Sequence, residues 1–301
     1  MVQCSTQVKP LDIERSYSVR GRQIYISSRN GIDVLMNSLY NQEVSKYGKK
    51  DGVIALGFFA YFMMRNFAIH IIYSQFNIPA EAWQIVYIAI AVIDTLIVFA
   101  IVKIRKQNLA SIGLHKKNIR AAIGLGLLFA PIFIIVRAVP GVTGGWELYS
   151  FGSFMFALMN VTLWAVREDI SFVGFIQTRL YGLVKNDVWA INLGAALFTL
   201  AHIPSRLVQG IPMGNMNFIL LLAVWFFMHR AFVMLFKRYI SLVPVFIMHI
   251  ASNFPRLWQG DGNAGWLWVI AIPTAVFCAA VEIWYWRWSE KSRADKVGEQ
   301  K

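Results

Sequence analysis

The sequence predicts an all-α protein, a polytopic transmembrane helical bundle of about eight spans, and three observations carry that reading. Hydrophobic residues make up 57% of the chain. Only 15% are charged, where a soluble domain carries about a quarter. Apolar stretches near the length that crosses a bilayer, roughly 20 residues at about 1.5 Å each, recur from Val53 to Trp286.

The elements follow in order. A polar segment, 1–51, comes first and lacks the short apolar core of a signal peptide. The transmembrane domain occupies 52–287, with spans expected at 53–73, 83–102, 119–136, 151–166, 188–202, 218–236, 240–253 and 266–286. No proline or other breaker separates the fourth apolar stretch from Leu183, so one long helix is expected to carry Glu168 and to leave the membrane at its C-terminal end. A polar tail, 288–301, ends the sequence and contains no prenylation signal. Pro140-Gly-Val-Thr-Gly-Gly145 and Gln259-Gly-Asp-Gly-Asn263 read as turns outside the membrane. No internal repeat or low-complexity tract is present.

Charge sets the orientation. Lys46, Lys49 and Lys50 precede the first span, and Lys103, Arg105, Lys106, Lys116 and Lys117 lie between the second and third. Arg179 and Lys185 follow the fourth, Lys237 and Arg238 the sixth, and Arg287, Lys291, Arg293 and Lys296 the eighth. The intervening loops are nearly bare: 74–82 and 140–150 have no Lys or Arg, and the later two hold Arg206 and Arg256. Both termini are therefore expected in the cytoplasm, and the protein in a bacterial plasma membrane, with membrane lipids as its surroundings. The same distribution accounts for the net charge of +13 without nucleic acid, because the basic residues are not interleaved with aromatics on one polar face. Tryptophans crowd toward span ends, as Trp83, Trp146, Trp189, Trp266 and Trp284 do, which fits interfacial anchoring. The two cysteines, Cys4 and Cys278, offer neither a disulfide framework nor a metal-binding spacing.

Ionisable groups within a span cost free energy unless they are paired or hydrated. Arg167-Glu168-Asp169, His202 and His249 with Asn253 fall in three separate spans. Counted from the cytoplasmic basic residues, Glu168, His202 and His249 lie about 16–26 Å in at about 1.5 Å per residue. Three helices can thus direct one carboxylate and two imidazoles at a shared volume. His249 and Asn253 are four apart and share a face, as do Phe198 and His202. Glu168 and Asp169 are about 100° apart on a helix, so one is expected to face the site and the other to support it. Such a set admits two chemistries: Zn2+ or another divalent ion held by Glu168, His202 and His249, or a metal-free site in which a carboxylate takes a proton from water. Arg65, Asn66, His70 and Asp94 are expected to form a structural polar cluster in which Arg65 pairs with Asp94. His229 and Arg230 are expected to snorkel toward the cytoplasmic surface, and His115 to be solvated.

These residues resemble the CPBP family of intramembrane proteases, which includes the CAAX prenyl endopeptidases and the Abi-type membrane proteins. The family pattern, EExxxR, then FxxxH, then HxxxN/D, is met by Glu168-Asp-Ile-Ser-Phe-Val173, Phe198 to His202 and His249 to Asn253. Ile112-Gly-Leu114 and Ser241-Leu-Val-Pro244 are also similar, and the resemblance covers about 112–254. It departs at Asp169, in place of the second Glu, and at Val173, in place of the Arg. The resemblance implies an endopeptidase, metallo- or glutamic-type, that hydrolyses a peptide bond of a membrane-associated protein or peptide, lipidated or not. Glu168 and His202 would activate water, His249 and Asn253 would stabilise the oxyanion, and Asp169 and Phe198 would support them. The alternatives are an inactive scaffold or immunity protein, which Val173 favours, and a proton-coupled transporter using Glu168, Asp169, Arg65, His70 and Asp94.

Overall fold

The computed structural model describes residues 15–19, 22–26, 40–76, 78–138, 147–148, 150–208, 216–254, 258–259 and 266–298. Two strands come first, β1 (Arg15–Val19) and β2 (Arg22–Ile26), paired antiparallel. Among the described residues the membrane domain is built of helices, apart from one pair of two-residue strands. Helix α1 is Lys49–Phe76 and α2 is Ala80–Ile104. A 3₁₀ turn at Leu109–Ile112 leads to α3 (Ile119–Ala138). Helix α4 (Phe151–Glu168) continues without a break through a π-helical stretch, Asp169–Ile176, into α5 (Gln177–Leu180). Then come α6 (Asp187–Ala201), α7 (Ile203–Val208), α8 (Met216–Tyr239), α9 (Val243–Ser252) and α10 (Trp266–Gly298).

Four of the described helical stretches are long and apolar enough to cross a membrane: Lys49–Phe76, Ala82–Ile104, Asp187–Val208 and Met216–Tyr239. The all-α membrane architecture stands on them. The other expected spans look different. The fourth is the expected long rod from Phe151 to Leu180, interrupted by polar residues. The seventh is a helix of only 10 residues, Val243–Ser252, about 15 Å long. It stops at Asn253, whose backbone leaves helical geometry and closes the end by donating to the His249 carbonyl at 3.1 Å.

Helix position follows burial. In α1 and α2, 22% of the apolar stretch is buried inside the protein, against 44% in α6–α7 and α8. The first pair therefore lies at the periphery and turns leucines and isoleucines outward, while α6 and α8 sit centrally. Helix α9 packs along α3, α10 along α8, and α2 along α4. Two short strands, β3 (Glu147–Leu148) and β4 (Trp258–Gln259), pair antiparallel. They bring the chain before α4 and the chain after α9 to the same end of the bundle. The expected turn at 140–145, Arg256 and all of the expected turn at 259–263 except Gln259, which is in β4, lie outside the described residues.

The π-helical stretch is wedged in place by close backbone approach. A Cβ on Gly174 would sit 2.8 Å from the Ile112 carbonyl oxygen. Gly113 next to it has φ +81°, a backbone that favours glycine, and its carbonyl accepts from Leu242 N at 3.2 Å. The two short motifs around Ile112 and Leu242 thus meet each other at the base of the rod.

Several polar residues behave differently from the sequence expectation. Arg179 and Lys237, read as charged groups at the cytoplasmic surface, are each 1% exposed. Arg179 donates to the Ser111 carbonyl at 3.1 Å, Ser111 Oγ at 2.7 Å and Gln107 Oε1 at 2.6 Å, so it ties the rod to the 3₁₀ turn. Lys237 pairs with Asp187 inside a cage of Tyr40, Tyr181 and Tyr285. His229 does not snorkel. It is fully buried and stacks on Phe198. Arg230 is held by both oxygens of Glu282, at 2.7 and 2.9 Å. His115 is within hydrogen-bond distance of the Ile240 carbonyl at 2.7 Å rather than simply solvated. Trp83 is buried between Tyr73 and Tyr87.

Candidate active site

Glu168 ends the regular part of α4, one residue before the helix widens. Across from it, His202 terminates α6 and His249 lies in the last turn of α9. All three, with Asn253, line one cavity of about 490 Å³. Its walls include Asn160, Trp164, Trp225 and Phe232. The Glu168 side chain keeps 14% of its surface exposed, so the carboxylate is open to the cavity while its neighbour Arg167 is 1% exposed.

The imidazole of His249 is the centre of the arrangement. Its Nδ1 lies 2.8 Å from Asp169 Oδ1, and its Nε2 lies 3.8 Å from Glu168 Oε2. Two carboxylates adjacent in sequence therefore address the two nitrogens of one ring. The sequence reading expected one of these neighbours, about 100° apart on a helix, to face the site and the other to support it. Asp169 is 1% exposed and sits behind the ring, whereas Glu168 faces the cavity.

His202 is fixed from three sides. Its Nδ1 is 2.8 Å from the Phe198 carbonyl oxygen. A carbonyl can only accept, so Nδ1 carries the proton and the neutral ring keeps its lone pair at Nε2. Trp225 stacks on the ring at 4.3 Å between centroids, and the Phe198 ring meets it edge-on at 4.7 Å. Phe198 is in turn packed on His229 and Phe172. Asn253, at the C-terminal end of α9, lines the cavity one turn beyond His249.

Behind Glu168 runs a chain of alternating charges. Arg167 Nη2 donates to Glu168 Oε1 at 2.9 Å, and Nη1 is 3.6 Å from Asp94 Oδ2. Asp94 also pairs with Arg65, as the sequence suggested, and accepts from the Tyr61 hydroxyl at 3.2 Å. Asn66 donates to the Ala201 carbonyl at 3.2 Å and so links α1 to the end of α6. A second cavity, of about 330 Å³, lies on this side and shares Glu168, His202, Trp164 and Arg206 with the first.

Val173, at the position where the resembled pattern has Arg, is 1% exposed in the apolar core. The cation beside the carboxylate is Arg167 instead. It reaches Glu168 as its immediate neighbour in the chain. Trp164 and Trp225 also line the cavity and were not among the expected site residues; each stands within four residues of an ionisable side chain, which is the signal the sequence offered.

A metal needs donors with lone pairs turned to one point. Among the described residues, no three His, Cys, Asp or Glu side chains are grouped so as to hold a metal ion. Around Glu168, Arg167 engages Oε1 and Asp169 holds His249 Nδ1, which leaves Glu168 Oε2, His249 Nε2 and His202 Nε2 as the lone-pair positions nearest the cavity.

The bundle and this cavity define a class: a helical membrane protein with a carboxylate and two imidazoles at a polar site between its helices. Residues 150–255 match the family model described as type II CAAX prenyl endopeptidase Rce1-like, which supports membership of the CPBP family. That stretch holds Glu168, His202, His249 and Asn253, and it begins one residue before α4. Neither the curated proteins nor the solved structures contain a match to the chain.

Proposed function

We propose that the protein is an intramembrane endopeptidase that hydrolyses a peptide bond of a membrane-associated, lipidated protein or peptide by a metal-free route. The observation that carries this reading is the convergence of Glu168, His202, His249 and Asn253 on one cavity, with His249 clasped between Glu168 and Asp169.

A water between Glu168 and His202 gives a proton to the Glu168 carboxylate and attacks the scissile carbonyl carbon. His202, protonated at Nδ1, accepts a hydrogen bond from that water at Nε2 and orients it. Charge builds on the carbonyl oxygen, where donors placed in advance are most effective. An imidazole with a carboxylate at each nitrogen donates from both only in its charged form. His249 thus presents Nε2–H, and Asn253 its amide N–H, to the oxyanion. Collapse of the tetrahedral adduct expels the amine, which takes the proton from Glu168. Around this chemistry the chain crosses the membrane eight times, with both termini in the cytoplasm of a bacterial cell.

The test uses the full-length protein in lipid nanodiscs with a farnesylated peptide that ends in a CAAX sequence, alongside its unprenylated counterpart. Wild type is expected to cleave, and Glu168→Gln and His202→Ala to lose detectable turnover while remaining folded. Chelation is expected to leave the rate unchanged. Retained cleavage by Glu168→Gln removes the mechanism, and failure of wild type on both peptides removes this substrate class. Val173 supports a second reading, an inactive membrane scaffold. On that reading a cellular phenotype survives Glu168→Gln.

A further inference from the structure

We infer that Arg167, Asp94 and Arg65 are positioning residues for Glu168, so that α1 and α2, outside the stretch matched by the family model, complete the active site. The inference rests on Glu168 being the water-activating group. Four charged side chains from three helices alternate in sign: Glu168, Arg167, Asp94, Arg65. Asp94 is fully buried and Arg167 is 1% exposed, so neither contact is screened as a surface pair would be.

The geometry shows what Asp94 does. Arg167 spends one terminal nitrogen on Glu168 Oε1 and turns the other toward Asp94. Glu168 Oε2 is left facing His249. A guanidinium and a carboxylate otherwise prefer a two-pronged pairing that occupies both oxygens. Asp94, fixed by Arg65 and the Tyr61 hydroxyl, holds the guanidinium to one prong. The Trp164 ring, 3.8 Å from the guanidinium carbon, and the Phe62 ring, at 5.0 Å, keep it in plane. Asp94 thus keeps one oxygen of the base available for water. Without it, Arg167 closes over both.

The experiment measures kcat and KM on the farnesylated peptide for wild type, Asp94→Asn and Asp94→Glu, with thermal melts of each. Loss of a residue that orients a reacting group lowers activity about 10–100-fold in analogous sites. Asp94→Asn is expected to lower kcat by about that factor with KM within about two-fold, and Asp94→Glu to recover most of it. If Asp94→Asn does not fold, Arg65→Gln carries the same test with a smaller fall in kcat. A fall in stability with kcat unchanged overturns the inference while leaving the hydrolytic reading in place. If wild type cleaves nothing, the hydrolytic reading fails, and the mount is read without turnover. In ¹³C-glutamate-labelled protein, the infrared carboxylate band of Glu168, identified by its loss in Glu168→Gln, shifts in Asp94→Asn. A band that stays in place overturns the mount.

Discussion

At the scale of the residue, the site is organised around a ring with two different neighbours. His249 is oriented by Asp169 through Nδ1 and meets Glu168 through Nε2. In metal sites, losing the partner that orients an imidazole costs about 10–100-fold in function, and a loss of that order is expected for His249. Asp169→Asn is therefore expected to lower kcat on a cleaved peptide by that amount, with KM nearly unchanged. On the proposed mechanism Asn253 donates to the developing oxyanion, so Asn253→Ala is expected to cost about 10²–10³ in kcat, measured by the same steady-state assay. Equal falls in binding and turnover for Asn253→Ala would instead mark it as a contact to the ground-state substrate. The candidate residues themselves were legible in the sequence, because an ionisable side chain in an apolar run is conspicuous. Their pairing was not. Nothing in residue order says that Asp169 and Glu168 share one imidazole, or that Trp225 stacks on His202.

At the scale of the element, the rod from Phe151 to Leu180 decides where Glu168 points. The absence of a breaker before Leu183 was readable in the sequence, but the π-helical stretch inside it was not. It depends on what packs against it, chiefly the Ile112 carbonyl over Gly174 and the Gly113 turn beneath Leu242. A methyl group at position 174 would sit 2.8 Å from a backbone oxygen, so the turn or the rod must shift. Overpacking of this kind costs about 1–3 kcal/mol. Gly174→Ala is expected to lower the thermal unfolding midpoint in detergent and to depress activity with it. Gly57→Ala is the matched control: it adds a methyl on α1 with nothing within 4 Å, and gains helix propensity of up to about 1 kcal/mol. Equal effects at the two glycines would show that the close contact at 174 is unimportant. Helix α9 makes the complementary point. At 10 residues it is short for a crossing, yet its end carries His249 and Asn253 into the cavity.

At the scale of the whole molecule, the arrangement is one of peripheral and central helices around an apolar core that encloses a cavity with ionisable residues. Regular alternation of basic loops predicts that the chain between α1 and α2 lies outside and the chain after α2 inside. A cysteine placed at Ser74, on a background lacking Cys4 and Cys278, is expected to react with a membrane-impermeant maleimide in intact cells. A cysteine at Lys103 is expected to react only after permeabilisation, and labelling of both from one side would reverse the topology. Not every basic residue serves as a topology signal. Arg179 and Lys237 counted toward the alternation, yet they are internal fasteners, one to Ser111 and Gln107, the other to Asp187 and three tyrosines. The alternation survives their removal because Lys185, Arg238 and the basic chain after α2 remain. The pairing of β3 with β4 sets two of the connections at one end, as the alternation requires.

The sequence alone determined that this is a helical membrane protein. It also gave the expectation that Glu168, His202 and His249 share a depth, because composition and a constant rise per residue are one-dimensional properties. Depth says nothing of azimuth. Which oxygen meets which nitrogen, which cation stands beside Glu168 in place of a residue at 173, and that Asp94 from a distant helix reaches that cation were decided by how the helices rotate and pack. That packing is a property of all the contacts together, and no single stretch of the chain contains it.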